Sequence, residues 1–326
     1  MARKIIAIDL GGTSVKMAIV TLEGDIQHKW SIQTNVLESG QHIIPEVIES
    51  IKDQLHLLKL DTKDILGIGI GTPGMVDVDQ GTVVGAYNLN WTEKQYVTQQ
   101  ITEAFNLPCY IDNDANVAAL GEQWRGAGES HADVVMMTLG TGVGGGIVVN
   151  HELVHGAGGA AGEIGHITID PTIDIHCTCG KRGCLEAVAS ATGIVNLARK
   201  YSMEYAGDSS LKRNIDDGQS VDAKDIFQAA QNNDPFGKHI VEQFCQYLGL
   251  ACSHIANTLN PQRIVLGGGV SSAGEYLRSQ VQTYYEQNTF PQIREVTKIS
   301  IAELGNDAGI LGAAQIVNLK ENEVKS

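Results

Sequence analysis

The sequence predicts an α/β protein built from two related halves, and three observations predict it. Strand-like apolar runs alternate with amphipathic helical stretches along the chain. Residues 5–20, IIAIDLGGTSVKMAIV, align without a gap on residues 134–149, VVMMTLGTGVGGGIVV, strand on strand and glycine turn on glycine turn. A length of 326 residues is also more than one small core encloses. Two halves that each offer a glycine-rich strand-turn-strand imply two domains flanking a cleft.

The elements follow in order. KIIAI (4–8) reads as a buried strand, LGGTS as a turn and VKMAIVTL as a second strand. Glu23-Gly24-Asp25 marks a hairpin, and IQHKWSIQT alternates as a third strand. Ile44, Val47, Ile48, Ile51, Leu55 and Leu58 repeat with helical spacing, so 43–58 is a helix. ILGIGIGTPG (65–74) is a strand ending in a Gly-Pro turn. A helix near 94–106 precedes the short strand CYI (109–111), and Asn113-Asp114 opens another helix. In the second half the expectations are a helix over 187–201, an exposed loop over 202–221 and a long helix over 235–257. RIVLGGGV (263–270) is a strand entering a glycine turn. A helix, the strand KISIAEL (298–304) and a final helix over 307–319 follow, and the charged tail KENEVKS is expected to fray.

Composition narrows the function. The net charge is −15, with no dense Lys/Arg cluster, which argues against a nucleic-acid partner. No apolar run reaches membrane-spanning length, and MARKIIAIDLGG lacks the apolar stretch and cleavage site of a signal peptide. A cytoplasmic protein with no membrane partner is the expectation. In that compartment thiols stay reduced, so clustered cysteines bind metal rather than pair. Cys109, Cys245 and Cys252, scattered in apolar surroundings, read as small core residues.

Three groups of residues carry chemistry. Asp9, Gly11, Gly12 and Thr13 follow a strand directly. Bare glycine backbone admits a phosphate, Thr13 adds a hydroxyl, and Asp9 is placed to hold Mg²⁺ directly or through water. GTGVGGG (140–146) nominally contains G-x-G-x-x-G, but the β-branched IVV after it predicts a strand where a dinucleotide fingerprint needs a helix. With Gly267-Gly268-Gly269 after another strand, the glycine turns favour a nucleotide site. Asp112-Asn113-Asp114 lies at a strand-to-helix junction. There Asn113 or Asp114 caps the helix, or Asp114 is a carboxylate able to orient an alcohol and take its proton.

The densest signal is HCTCGKRGCLE (176–186), where Cys177, Cys179 and Cys184 have C-x-C-x4-C spacing. Structural zinc takes four ligands, and Cys3His is a standard set. His166 in GEIGHI is the preferred fourth. His176 is the rival, but its neighbour Cys177 already binds, and adjacent residues chelate one ion awkwardly. Such a site would fasten the loop of Glu163 and His166 to that of Glu186. Two carboxylates and an imidazole on one pinned loop pair suit adjacent sugar hydroxyls. Glu186 also falls in the first turn of the next helix, where an acid is favoured anyway.

Together DLGGT (9–13), IDNDAN (111–116), GEIGH (162–166) and CTCGKRGCLE (177–186), with GTGVGGG (140–146) and LGGGV (266–270), resemble the ROK family of sugar kinases and regulators, most of all its ATP-dependent bacterial glucokinases. The motifs span essentially the whole chain. The resemblance implies the two-domain actin-like (RNase H-like) ATPase fold with a structural zinc site. It implies a small domain of 1–117 plus 304–326 and a large one of 118–303 bearing the zinc-binding loop. It implies Asp114 as base for the sugar 6-hydroxyl, with Asn113, Glu163, His166 and Glu186, and also Gly74 and Asn88, in the sugar pocket. Zn²⁺ falls to His166, Cys177, Cys179 and Cys184. The phosphates of ATP and Mg²⁺ fall to Asp9, Gly11, Gly12, Thr13, Gly140, Thr141 and Gly142, and the adenosine to Gly268 and Gly269. A homodimer or homotetramer is implied. The rivals are a kinase of another hexose, such as N-acetylmannosamine or N-acetylglucosamine, and a sugar-sensing regulator. ROK regulators carry an extra N-terminal helix-turn-helix, for which a phosphate motif starting at residue 9 leaves no room.

Overall fold

Alternation of side chains along the first strand decides how the first half is layered. In β1 (Lys4–Leu10), Ile6, Ile8 and Leu10 enter one apolar cluster while Ile5 and Ala7 enter another. Both faces of the strand are therefore buried, which requires covering on both sides. This is a computed structural model, and it describes residues 3–323. β2 (Ser14–Val20) and β3 (Ile26–Gln33) extend β1 antiparallel, and β4 (Ile65–Thr72) lies parallel on its other side. β5 (Met75–Asp77), β6 (Thr82–Val84) and β7 (Gln95–Tyr96) form a small separate sheet. β8 (Cys109–Asn113) then completes the main sheet, in the order β3-β2-β1-β4-β8.

Helices Ile43–Leu58 and Val97–Phe105 cover one face through Ile44, Val47, Ile51, Val97, Ile101 and Phe105. Helices Asp114–Arg125 and Ala308–Glu323 cover the other. The run ILGIGIGT in β4 shows why they sit so close. Ile68 and Ile70 point into the first cluster, whereas Gly67, Gly69 and Gly71 face the helices. A Cβ on Gly69 would collide with the Ala313 carbonyl, and one on Gly71 would lie 2.5 Å from Val117. The two helices also cross on glycine: a Cβ on Gly312 would strike the Val117 carbonyl, and one on Gly121 the Ala308 carbonyl.

The second half repeats the plan. β9 (Val134–Leu139), β10 (Val143–Val149), β11 (Glu152–Leu153), β12 (Arg263–Gly267) and β13 (Lys298–Ile301) form a sheet in the order β11-β10-β9-β12-β13. β10 is antiparallel to β9, while β12 and β13 are parallel to it and to each other. Helix Pro235–Leu259 is the spine of this core, burying Phe236, Ile240, Phe244 and Leu248. Asp234 caps it, accepting from the N–H groups of Phe236 and Gly237, and Pro235 takes the first position, where no N–H is needed.

The chain divides into two compact units. One comprises the residues up to Ser130, 153–161 and those from Leu304 onward; the other comprises 131–152 and 162–303. A boundary at 117/118 would cut helix Asp114–Arg125, which its glycine crossing with Ala308–Glu323 keeps whole in the first unit. The segment 153–161 joins the first unit without a sequence signal.

The secondary structure differs from expectation at four places. The helix over 187–201 is two helices, Leu185–Ala189 and Ala191–Ser202. Ser190 breaks it with extended backbone and caps the second helix through the Gly193 N–H. The loop over 202–221 contains helix Ser210–Asp216, capped by Ser209. Helix Ala223–Gln231, absent from the sequence reading, starts with a reciprocal Asp222/Asp225 capping box. The final helix runs on to Glu323, and the end of the expected frayed tail, 324–326, lies outside the described residues. Among the described residues no helix is long and apolar enough to cross a membrane.

Candidate active site

In the first unit the chemistry gathers at the carboxyl ends of the parallel strands, where open α/β sheets place their ligands. Asp9 of β1 is level with Gly71 of β4, and Gly71 with Asp112 of β8. The Gly11 N–H donates to the Ser14 carbonyl at 3.1 Å, closing the turn that leaves Gly12 and Thr13 at its tip. A Cβ on Gly12 would come within 3.0 Å of the Asn88 carbonyl, so Asn88 lies against this turn. Asp9 faces Lys16 at 3.5 Å. Burial raises its carboxyl above the usual range, partly offset by Lys16.

At the end of β8, Asn113 is the helix cap. Its Oδ1 accepts the Ala115 N–H at 2.9 Å and its Nδ2 donates to the Gly74 carbonyl at 3.2 Å. Gly74 has φ +96°, and a Cβ there would press on Ala86. Asp114 is the first helical residue. Its Oδ1 also accepts from Ala115, at 2.8 Å, and its carboxylate stays open to solvent at the tip. Surrounding protein raises its pKa by desolvation, and the like charge of Asp9 raises it further. Asn113 is thus the helix cap, and Asp114 is left as an exposed carboxylate at the first helical position.

In the second unit the turn Gly140–Gly142 joins β9 to β10. The Gly140 N–H donates to the Gly142 carbonyl at 3.0 Å, and the Gly140 carbonyl accepts from Ala191 at 2.8 Å. Gly268 has φ +81° and lies on Leu139, a Cβ there meeting its backbone at 2.6 Å. Gly269 opens onto a cavity of about 380 Å³ lined also by Ala191, Lys224, Phe227, Gln228 and Val270. Gly145 has another job: the loop carrying Glu163 packs on it, with the Gly162 carbonyl 2.6 Å from where its Cβ would be.

His166, Cys177, Cys179 and Cys184 place one ligand atom each within 4.8 Å of one another. Cys179 and Cys184 sulfurs are 3.7 Å apart, and the Cys177 sulfur is 3.5 Å from His166 Nδ1. A zinc tetrahedron with Zn–S of about 2.3 Å and Zn–N of about 2.0 Å has edges of roughly 3.5–3.8 Å, so this donor set fits the ion. His176 is not in the cluster. Burial and the neighbouring thiols push Cys184 up to about 12, a pressure that a divalent cation reverses. His166 Nε2 points away from the sulfurs, 3.7 Å from Glu163. Glu186 clasps the cysteine loop to the glycine turn: Oε1 accepts from the Thr178 hydroxyl at 2.8 Å, and Oε2 from the Val143 N–H at 3.1 Å.

A family model described as ROK family matches residues 5–320. The chain belongs to the ROK family. A glucokinase of Halalkalibacterium halodurans is 42% identical over 323 residues, covering 99% of this chain and 97% of the relative. Among solved structures, the ROK hexokinase of Thermus thermophilus has a TM-score of 0.83 at 28% identity, covering 98% of this chain and 99% of the other. A ROK family glucokinase of Streptomyces griseus, solved with glucose and AMPPNP, has a TM-score of 0.72 at 30% identity, covering 96% and 98%. Sequence reasoning missed two parts of this ROK chain. Lys224 and Gln228 sit on the helix it did not predict. Asp112 and His155, 2.6 Å apart, come from distant segments, and no spacing joins them.

Proposed function

We propose that the protein is a glucokinase, transferring the γ-phosphoryl group of ATP to the 6-hydroxyl of glucose to give glucose 6-phosphate and ADP. The observation that carries this is 42% identity to a glucokinase over 99% of the chain. The site chemistry agrees with it. Asp114 orients the 6-hydroxyl and takes its proton as the bond to phosphorus forms. Its raised pKa brings the base closer to neutrality than an ordinary aspartate. Asn113, Gly74 and Asn88 fix the sugar beside it, and Glu163, His166 and Glu186 read further hydroxyls. The turns at Gly11–Thr13 and Gly140–Gly142 offer backbone N–H groups to the phosphates. The cavity at Gly269 takes the adenosine, with Gly268 shaping its edge. Asp9 is the carboxylate available to the Mg²⁺ that accompanies the nucleotide, and that ion supplies neutralisation of phosphate charge. His166, Cys177, Cys179 and Cys184 hold a structural Zn²⁺ that fastens the Glu163 loop to the Glu186 loop. The enzyme works in the cytoplasm as a homodimer or homotetramer, without nucleic-acid or membrane partners.

The test is ADP release with ATP, Mg²⁺ and a panel of hexoses that includes N-acetylmannosamine and N-acetylglucosamine. Turnover with glucose far above the others is the expected result. Turnover with an N-acetylhexosamine instead would move the substrate, and no turnover with any sugar would overturn the kinase reading.

A further inference from the structure

His155 makes a close contact to a buried acid of the first unit, Asp112. His155 Nε2 lies 2.6 Å from Asp112 Oδ2. The Asp112 side chain is only 5% exposed, and a carboxylate buried that far needs every lone pair addressed. Its other oxygen, Oδ1, accepts the Asn113 N–H and the Asn116 Nδ2, each at 2.8 Å. The two oxygens thus divide the work: Oδ1 grips the strand-to-helix turn, and Oδ2 is anchored by the imidazole. Asp112 immediately precedes the cap residue Asn113 and the carboxylate of Asp114.

We propose that His155 is a positioning residue for phosphoryl transfer, holding Asp112 so that the turn Asn113–Asp114 presents its carboxylate in one orientation. This rests on the reading of Asp114 as the base. Removing the imidazole strands Oδ2 in a buried place. The carboxylate then rotates to find a partner and slackens its grip on the Asn113 N–H and Asn116. Asp114 moves with that turn, and a displaced base loses rate more than affinity.

Three charged groups face His155: Asp112 on β8, Asp79 in the turn after β5, and Lys320 on the final helix. The hydrogen bond to Asp112 raises the imidazole pKa most, Asp79 adds to it, and burial and Lys320 oppose it. A raised histidine pKa means that the charged contact is complete below the ordinary histidine value and is lost as pH rises through the raised one. Above it the ion pair is gone, and a neutral imidazole can at most donate an N–H to the carboxylate, a weaker anchor. Turnover should therefore decline on the alkaline side.

The experiment measures kcat and the KM values for glucose and ATP, from neutral to alkaline pH, for the wild type, His155→Gln, His155→Leu and Asp114→Asn. His155→Gln keeps a donor for Asp112 but cannot titrate. It should retain kcat within about threefold and lack the alkaline decline, whereas His155→Leu should lose about tenfold or more in kcat at an unchanged KM for ATP. Wild-type kcat in His155→Leu, or a wild-type alkaline decline in His155→Gln, would overturn the proposal. Should His155→Leu not fold, the alkaline limb of His155→Gln decides alone. Asp114→Asn separates the two readings: turnover near wild type there removes the base assignment itself, whatever the His155 variants do.

Discussion

The two glycine turns at β1–β2 and β9–β10 have the same place in their sheets and the same length, yet different chemistry. Ser14–Val20 and Val143–Val149 are offset by a constant interval, as are Leu10 and Leu139, and both hairpins flank a parallel strand on the far side. In the first turn the Gly11 N–H reaches Ser14, three residues on; in the second the Gly140 N–H reaches Gly142, only two on. Asp9 ends the first β-strand where Thr138 ends the second. The first turn has a carboxylate beneath it, Asp9, close enough to Asp114 to raise that residue's pKa. The second has no acid of its own strand but is clasped by Glu186, each of whose carboxylate oxygens accepts from a protein donor. Similar scaffolding thus carries a pair of carboxylates in one half and a clasped turn in the other, with both the turn hydrogen bonds and the side chains at the strand ends changed.

The sharpest way to break this contrast is to remove the acid. Asp114→Ala should keep glucose binding and lower kcat by about 10²-fold or more, the usual range for a group that moves a proton in the transition state. Steady-state kinetics with a direct binding measurement checks both halves of the statement. Turnover close to wild type would show that the first unit holds no essential base. In the second unit Thr138→Val should change kcat by less than about twofold, since no acid–base work falls to that position.

The holding job is tested by Cys184→Ala or by stripping metal with a chelator. One zinc per chain should be found by elemental analysis of the wild type and none in the variant. Glucose affinity should weaken roughly tenfold or more, in line with the loss of groups that orient a site from behind. An apo protein that binds glucose as well as the wild type would sever the link between the cysteine loop and the sugar.

Most of this plan could be read from residues alone because it is local. Alternating Ile and Gly in 65–72, the strand after GTGVGGG and the C-x-C-x4-C cluster each declare themselves within a few positions. What escaped reading is what long-range packing decides. Ser190 breaks a helix whose apolar period runs straight through it, because Ala191 sends its N–H to Gly140. The strand over 65–74 was legible, but not why its glycines are there: Gly67, Gly69 and Gly71 are spaces for two helices that arrive from positions 114 and 308. His155 stands in a polar glycine-rich loop and acquires meaning only beside Asp112. Gly145 lay inside a nominal nucleotide motif and turned out to seat the Glu163 loop.

Those spaces give a smaller, purely structural prediction for the first unit. Gly69→Ala and Gly312→Ala each push a methyl group into a backbone carbonyl that cannot give way as a flexible side chain would. Overpacking of this kind costs about 1–3 kcal/mol, and for a protein of this size each kcal/mol lowers Tm by roughly 1.5 °C. Thermal denaturation should show that loss in both variants. Gly269→Ala in the second unit meets nothing within 4 Å and should leave Tm unchanged. A Gly69→Ala protein with wild-type Tm would mean that the helices can stand off the sheet.

The finest distinction between the halves lies in a pH limb. As the proposed base, Asp114 works only when ionised. Its pKa is raised chiefly by desolvation and next, among raising causes, by the charge of Asp9. Turnover should therefore fall with decreasing pH through a value above the usual carboxylate range, because the proton is held to higher pH than on an ordinary aspartate. Asp9→Asn removes one of the two causes and leaves the other. Whatever it does to the height of the profile, its acid limb should move to lower pH, while Thr138→Val leaves the limb in place. The position of the limb, measured as kcat against pH at saturating ATP and glucose, separates electrostatic coupling from the loss of a phosphate-side carboxylate, which would scale the whole curve down without shifting it. An unmoved limb in Asp9→Asn would mean that burial alone tunes the base, and that the first turn and the strand-to-helix junction share a sheet edge without sharing charge.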